Sequence, residues 1–445
     1  MIRIQTNTRT KNMTVPPPDD TRRHALQLLF AGGAFALAGC LSEDDDDHED
    51  DDDGHENNGD ATDHPTSDDS NGATFIVESV GDDRTRPWGL AFVPKTTELL
   101  VTERDPGELI LLDYEDESET ALDGIPAVDA GGQGGLLDVA VYTDETNSES
   151  DDEHEVWVYL TYSAENGDGE TAAHLGRGRL DRDGNQLDEF EQIHVAEPFE
   201  DSTGHYGSRV IVGPDEQLYM TTGDRQFKNF GPEHISQDTT SEYGATLRLE
   251  LDGSIPDDNP FVDDSDVQDS IYSYGHRNAQ GMTVRPETKE LWQSEHGEED
   301  GDELNIIVEG GNYGWPLTHT GCEYGTDEPV GERPEDRDDV VNPVYYWECT
   351  TGGFPPAGMT FYDGEAFPDW QGDLFVGNLA GQYLGHFTVD GEGVDDVSVE
   401  EQEPLLPDKG WRVRDVAVEP DSGELYVAID DESQPLVRLV PNEDN

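Results

Sequence analysis

The chain has 445 residues, with 25 basic against 103 acidic side chains and a formal net charge of −78 at neutral pH. That balance excludes a nucleic-acid partner, because phosphate binding needs clustered positive charge. The acidity also belongs to the body: without residues 1–70 there remain 20 basic against 86 acidic side chains, five lysines serve the whole chain, and twenty arginines supply the rest of the positive charge. Self-repulsion on that scale is relieved where salt shortens the screening length to roughly 3 Å, so a halophilic protein of a strongly saline environment is expected.

Arg22 and Arg23 precede an apolar stretch from Ala25 to Ala38, shorter than the roughly twenty residues with which a helix spans a bilayer. The stretch ends at Leu37, Ala38, Gly39 and Cys40, which resembles a lipoprotein cleavage box, and the paired arginines resemble the signal for export of a folded protein. Residues 1–40 therefore read as a twin-arginine lipoprotein signal, with Cys40 as the lipid anchor to the extracellular side of a membrane. The alternative is an ordinary signal peptide with an incidental cysteine. Residues 41–72 read as an acidic disordered linker: Glu43 to Ser70 holds fifteen acidic residues and no Lys or Arg, which repels itself and cannot bury a core. His48, His55 and His64 lie in that tract and read as solvated.

From Phe75 onward a unit recurs: an apolar strand, a polar turn, then a second strand ending near a charged loop. Its copies are GLAFVPKTTELLVTERD, RVIVGPDEQLYMTTGD, MTVRPETKELWQSEHG and VAVEPDSGELYVAIDD, with looser ones at LLDVAVYTDE to VWVYLTYS and at MTFYDGEAF to DLFVGNLAG. Alternating apolar residues between turn signals indicate antiparallel strands, and six blade-sized copies indicate radial repetition. Residues 73–445 are expected to be an all-β, six-bladed β-propeller with four-stranded antiparallel blades. A β-sandwich array is the less suitable alternative, because the repeats are short and alike. The strand near Thr74 to Val80 should pair with strands near Leu436 to Val440 and close the ring, hiding its edges. Polar strings follow the second strands at Asp224, His296 and Leu379, or open repeats at Gln133, His205, Arg277 and Arg412, so they should converge on one mouth of the central channel.

His205, in GHYGSR, precedes Asp224, in TTGDR, by nineteen residues. A histidine takes a hydroxyl proton at neutral pH when a carboxylate orients its ring and stabilises its cation, and this pair supplies both parts. Arg277 and Asn278 follow in YGHRNAQG, Asp302 and Glu303 in HGEEDGDELN, Asn312 to Pro316 as NYGWP, and Arg412 and Arg414 in WRVRDV. The last two alternate along a strand and share a face. Cys322 and Cys349, in a chain read as exported, form either a disulfide, worth about 3 to 4 kcal/mol on loop entropy, or two unpaired thiols.

This ordered series, with RPWGLAF and GGQGGLLDVA before it, resembles the soluble aldose sugar dehydrogenases that use pyrroloquinoline quinone (PQQ), the glucose/sorbosone dehydrogenase family, from about Arg86 to Leu439. The resemblance implies oxidation of an aldose at its anomeric carbon to a lactone by hydride transfer to the quinone, with an external electron acceptor. It assigns His205 as base, Asp224 as its partner and Arg277 to charge on the quinone. It assigns cofactor contacts to Gln133, Arg277, Asn278, His296, Asp302, Tyr324, Trp347, Arg412 and Arg414. Calcium is implied twice, at the carbonyls of Gly297 and Glu298, and at Glu303 with the Tyr313 carbonyl. Three departures stand out: HYGSR where relatives carry HFGGR, Glu298 where proline is frequent, and Ala380 where a basic residue is common. A non-redox propeller that binds a sugar or a partner is the alternative reading, and a metal-dependent lactonase a third.

Overall fold

Strand-forming segments of two to twelve residues, separated by turns, run through the computed structural model, which describes residues 67–70, 73–143 and 155–442. The signal segment with Cys40, and the linker up to residue 66, lie outside the described residues. Five four-stranded antiparallel sheets and one five-stranded sheet are arranged as the six blades of a β-propeller. Each apolar repeat supplies the first two strands of a blade: Pro87–Phe92 with Glu98–Glu103, Leu136–Thr143 with Val156–Glu165, Val210–Val212 with Leu218–Thr222, Ala279–Val284 with Leu291–Glu295, Pro356–Phe361 with Leu374–Asn378, and Val413–Val418 with Leu425–Ile429.

The ring closes as the pattern predicts. Ala73–Arg84 pairs antiparallel with Gln434–Pro441, Val77 opposite Leu439, so the earliest long strand completes the last blade. Ser67–Ser70, which composition places in the linker, pairs with Ala73–Ile76 as a fifth strand. An outer strand leaves backbone donors and acceptors open, and these four residues satisfy some of them.

The second strands differ from the simple alternation expected of a half-solvated sheet. Leu218–Thr222, Leu291–Glu295, Leu374–Asn378 and Leu425–Ile429 are buried along their whole length. Each blade is covered on both faces by its neighbours, so polar and apolar faces of a second strand are alike shut from water. The apolar layers accordingly lie between blades: Tyr219 and Met282 join the third and fourth, Trp292 and Phe361 the fourth and fifth, Phe375 and Val416 the fifth and sixth. Outer strands such as Ser398–Glu401 stay largely exposed and carry the acidic residues.

A buried cross-tie holds the first strands around the axis. Arg209 donates through Nη1 to Asp138 (2.9 Å) and Asp415 (3.2 Å) and through Nε to the Gln280 carbonyl. Asp138 and Asp415 in turn accept from the backbone N–H groups of Val210 and Leu90. Five of the six blades are thus linked just beneath the mouth described next.

Candidate active site

Because first strands begin and second strands end at the same rim, residues distant in sequence meet around one cavity of about 440 Å³. Its lining includes Gln133, His205, Arg277, Asn278 and Arg412 from the starts of repeats, and His296 and Leu379 from the ends of second strands. Of the other expected residues, Asp302, Tyr324, Arg414, Gly297 and Glu298 line it too, while Asp224, Glu303, Tyr313 and Trp347 do not.

His205 is held by its own loop in a left-handed conformation (φ 45°), as is Ser208 (φ 68°). Such backbone persists where its surroundings over-determine it. Here the His205 N–H donates to Gln133 Oε1 (2.8 Å) and the Gly207 N–H to Asn278 Oδ1 (3.1 Å), so two residues assigned to the cofactor also clamp the histidine loop. Gly223 permits the close approach behind it, since a Cβ there would lie 2.1 Å from the His205 carbonyl oxygen. His205 Nδ1 lies 2.7 Å from Asp224 Oδ1, which leaves Nε2 as the ring nitrogen free for a substrate hydroxyl. Asp224 is buried behind the histidine, outside the cavity lining. Burial raises its carboxyl, but His205 and Arg277 outweigh that and hold it below the usual range. Burial and the Arg277 charge lower His205, so the imidazole is neutral and able to accept a proton near pH 7.

Asp224 has a further partner that a motif search passes over: Trp315 Nε1, from NYGWP, donates to Oδ2 at 2.8 Å. Arg225, the next residue, is also fully buried. Its guanidinium lies 3.7 Å over the Tyr206 ring and donates to Thr171 Oγ1 (2.7 Å) and to the Ser202 carbonyl. It therefore grips both ends of the strained loop that presents His205. The terminal Arg of TTGDR was the available signal, but an arginine after a second strand reads equally as a surface residue.

Arg277 faces the cavity with its charge already engaged. Its Nη2 and Nε donate to Glu298 Oε2 at 2.7 and 3.2 Å, while Lys228 Nζ reaches Glu298 Oε1 at 2.7 Å. Glu298 sits in a loop that Gly297 allows to fold tightly, a Cβ there falling 2.1 Å from the Asp300 carbonyl oxygen. Asp302 closes the loop, accepting from the N–H groups of Gly297 (2.9 Å) and Phe354 (2.7 Å), and burial pushes its carboxyl up to about 6. Trp347, expected at the cofactor, instead stands behind this loop. It exchanges backbone bonds with Gly301 and Asp302, and its ring stacks on Phe354 at 4.4 Å. Cys322 and Cys349 form a disulfide, and Cys322 pairs through its backbone with Glu299, so the cross-link braces the same loop.

Glu303 and Tyr313 also lie outside the main cavity, around a small void with Glu295, Thr318 and His319. Burial, then the neighbouring Glu295, raises the Glu303 carboxyl well above the usual range. No group of three or more His, Cys, Asp or Glu side chains is arranged to hold a metal ion among the described residues.

At the opposite wall Arg414 donates to Asp430 Oδ2 (2.5 Å) and to Gln280 Oε1 (3.0 Å), the oxygen that also lies 3.2 Å from His296 Nε2. Burial and Arg277 keep His296 neutral. Arg412 is partly exposed, 3.9 Å from the same aspartate. Arg86, Arg104, Gln280 and Asp430 line the cavity too and were missed. Three of them were legible from the repeat, since Arg86 opens the first copy, and Arg104 and Asp430 follow the second strands of the first and sixth.

A family model described as glucose/sorbosone dehydrogenase matches residues 84–438. Aldose sugar dehydrogenase YliI of Escherichia coli (strain K12) is 36% identical over 373 residues, 83% of this chain and 94% of that protein. The crystal structure of the soluble aldose sugar dehydrogenase from Escherichia coli in the apo-form matches with a TM-score of 0.74 at 36% identity, over 83% of this chain and 100% of that one. The PQQ-bound form of aldose sugar dehydrogenase from Streptomyces coelicolor matches with a TM-score of 0.64 at 26% identity, over 85% of this chain and 100% of that one. Agreement in sequence and fold over so much of its length shows that the chain belongs to the glucose/sorbosone dehydrogenase family.

Proposed function

We propose that the protein oxidises the anomeric carbon of aldoses to lactones with pyrroloquinoline quinone as resident cofactor. One observation carries the reading: a neutral histidine, backed by a buried carboxylate, opens into a cavity lined by five arginines in a chain of net charge −78. The donor set fits a tricarboxylate. Arg412, just before the Val413–Val418 strand, and Arg414 within it both line the cavity, and Arg414 Nε is buried without a hydrogen-bond partner. Arg412, Arg414, Arg277, Gln133 and Asn278 would hold the quinone, which when bound supplies the hydride-accepting chemistry that no side chain possesses.

The chain's own residues handle the proton. Oxidation of the anomeric C–OH to a lactone releases one proton from oxygen as a hydride leaves carbon. His205 Nε2 takes that proton, and Asp224 stabilises the imidazolium through the Nδ1 bond. Trp315 and the Gln226 N–H keep the carboxylate oriented. Arg277 is placed to stabilise negative charge developing on an oxygen in the cavity, in a site where preorganised charge acts strongly.

The reading includes Ca²⁺. Glu303 is buried beside Glu295 with Thr318 Oγ1 unpartnered nearby, an oxygen-rich setting of the kind Ca²⁺ requires. Glu303 and the Tyr313 carbonyl would hold one ion, and the carbonyls of Gly297 and Glu298 another. It also includes export, with lipid at Cys40 holding the protein on the outer side of a membrane, supported by Arg22, Arg23 and the string ending at Cys40. An external acceptor would then reoxidise the quinone.

The test is reconstitution of the protein with quinone and Ca²⁺ at molar salt, followed by dye reduction over a panel of aldoses. Aldose-dependent reduction supports the proposal. Quinone binding without any reduction would move the assignment to a binding propeller.

A further inference from the structure

We infer that Arg86 and Arg104 extend the basic wall of Arg412 and Arg414 and supply the anion contact for which Ala380 carries no charge. The inference rests on the quinone reading, and it concerns two residues to which the resemblance assigns no cofactor contact, although Arg86 opens the RPWGLAF string. Arg86 holds the position in the first repeat that Gln133, His205, Arg277 and Arg412 hold in others, and Arg104 the position of Asp224, His296 and Asp430.

Backbone bonds fix both. The Arg104 N–H donates to the Arg86 carbonyl (3.0 Å), the Arg86 N–H to the Asp431 carbonyl (2.7 Å), and the Leu136 N–H to the Arg104 carbonyl (3.0 Å). The pair is thereby tied to the last blade on one side and the second blade on the other, beside Arg412 and Arg414. Ala380 is exposed next to Leu379, which lines the same cavity.

Charge at this wall is in excess. Arg86, Arg104, Arg412 and Arg414 face three nearby carboxylates, of which Asp105 and Glu432 have side chains 41% and 80% exposed, while Asp430 is 4% exposed. Asp105 bonds Arg104 Nε at 2.7 Å and Asp430 bonds Arg414 at 2.5 Å, so Arg86 and Arg412 are left with ion pairs of 3.5 Å or longer, which a screening length of roughly 3 Å at molar salt weakens. Burial raises Asp430, yet Arg414, Arg104 and Arg412 hold it at about 2, so it stays charged at any working pH. The ion pairs of Arg86, at 3.5 to 3.6 Å, are longer than good hydrogen bonds and leave that guanidinium free to turn toward an anion. The chemistry that fits is a ligand with several carboxylates.

The experiment is a titration of apoprotein with pyrroloquinoline quinone at molar salt and Ca²⁺, read by tryptophan fluorescence, with thermal unfolding as the check on folding. Arg104→Gln and the double change Arg86→Gln with Arg104→Gln should each raise Kd by roughly tenfold to a hundredfold, the double change more. Ala380→Lys in the Arg104→Gln background should recover part of the loss, a gain that misfolding does not produce. A folded double variant whose Kd stays within about twofold of wild type, in protein where Arg414→Ala does weaken binding, overturns this inference and leaves the quinone reading standing. Folded wild type that binds no quinone overturns both.

Discussion

Replacing Asp224 by Asn removes one negative charge and one acceptor while keeping the shape of the side chain. Asp224 now accepts from His205 Nδ1 (2.7 Å), Trp315 Nε1 (2.8 Å) and the Gln226 N–H (2.9 Å). An amide has one oxygen, so the histidine and the tryptophan cannot both be satisfied, and a buried donor is left over at about 1 to 3 kcal/mol. The larger effect falls on the proton-transfer step. An imidazolium and a carboxylate roughly 4 Å apart, charge centre to charge centre, attract by about 4 kcal/mol at an effective dielectric of about 20. Losing about 3 to 4 kcal/mol of that stabilisation corresponds to roughly two to three orders of magnitude in turnover. Asp224 does not line the cavity, so quinone affinity should stay within about threefold of wild type. The pH dependence has a definite sign. His205 acts as base only when unprotonated, and burial and Arg277 already hold it below its ordinary value while Asp224 draws it upward. Asp224→Asn therefore moves the acid limb of kcat/KM to lower pH, onto a much lower plateau. The assay is steady-state dye reduction on reconstituted protein across pH 4 to 8, a range of about four decades of proton activity around the imidazole. Turnover near the wild-type level, or an acid limb that moves upward, would refute the role given to Asp224.

Arg225→Ala should lower kcat by roughly tenfold or more with little change in quinone affinity, because it loosens the loop that presents His205; Arg225→Lys, which cannot reproduce the planar stacking on Tyr206, should recover only part of the rate. Cys322→Ser with Cys349→Ser, which opens a loop of 27 residues, should cost about 3 to 4 kcal/mol and lower Tm by about 4 to 5 °C, read by calorimetry under non-reducing conditions. Chelation of Ca²⁺ should lower Tm of wild type, and Glu303→Gln should abolish the Ca²⁺-dependent part of that shift; an unchanged Ca²⁺ response would remove Glu303 from the ion site. Lowering salt from molar to about 0.1 M should destabilise the protein, since the screening length rises to about 10 Å around a chain of net charge −78.

The ring and its closure were legible because each repeat puts two apolar strands around a turn, and six copies leave the strand at Phe75 only the last blade to join. The mouth follows from the same periodicity, which puts His205, Arg277 and Arg412 on one rim. What sequence could not show was which charge meets which. Glu298 reads as a neutral change at a loop position, since a carbonyl ligand survives it, yet its carboxylate lies between Arg277 and Lys228. Trp347 was placed at the cofactor by analogy of position, but its backbone bonds turn it behind the loop. Trp315 sits 91 residues from Asp224, and no local pattern reports a contact across that separation. The repeat puts Arg86 and Arg104 on the rim, but not their role: with ion pairs available everywhere on an acidic surface, an arginine after a strand carries little information alone.

Single-turnover mixing of quinone-loaded protein with an aldose, followed by absorbance of the oxidised cofactor, tests the central claim most directly. Loaded wild type should lose the oxidised absorbance in step with lactone formation, and His205→Ala, binding quinone with nearly unchanged affinity, should do so at least about a hundredfold more slowly. Equal rates in the two proteins would contradict the assignment of His205 as the base, and an absorbance that no aldose changes in loaded wild type would contradict the dehydrogenase itself.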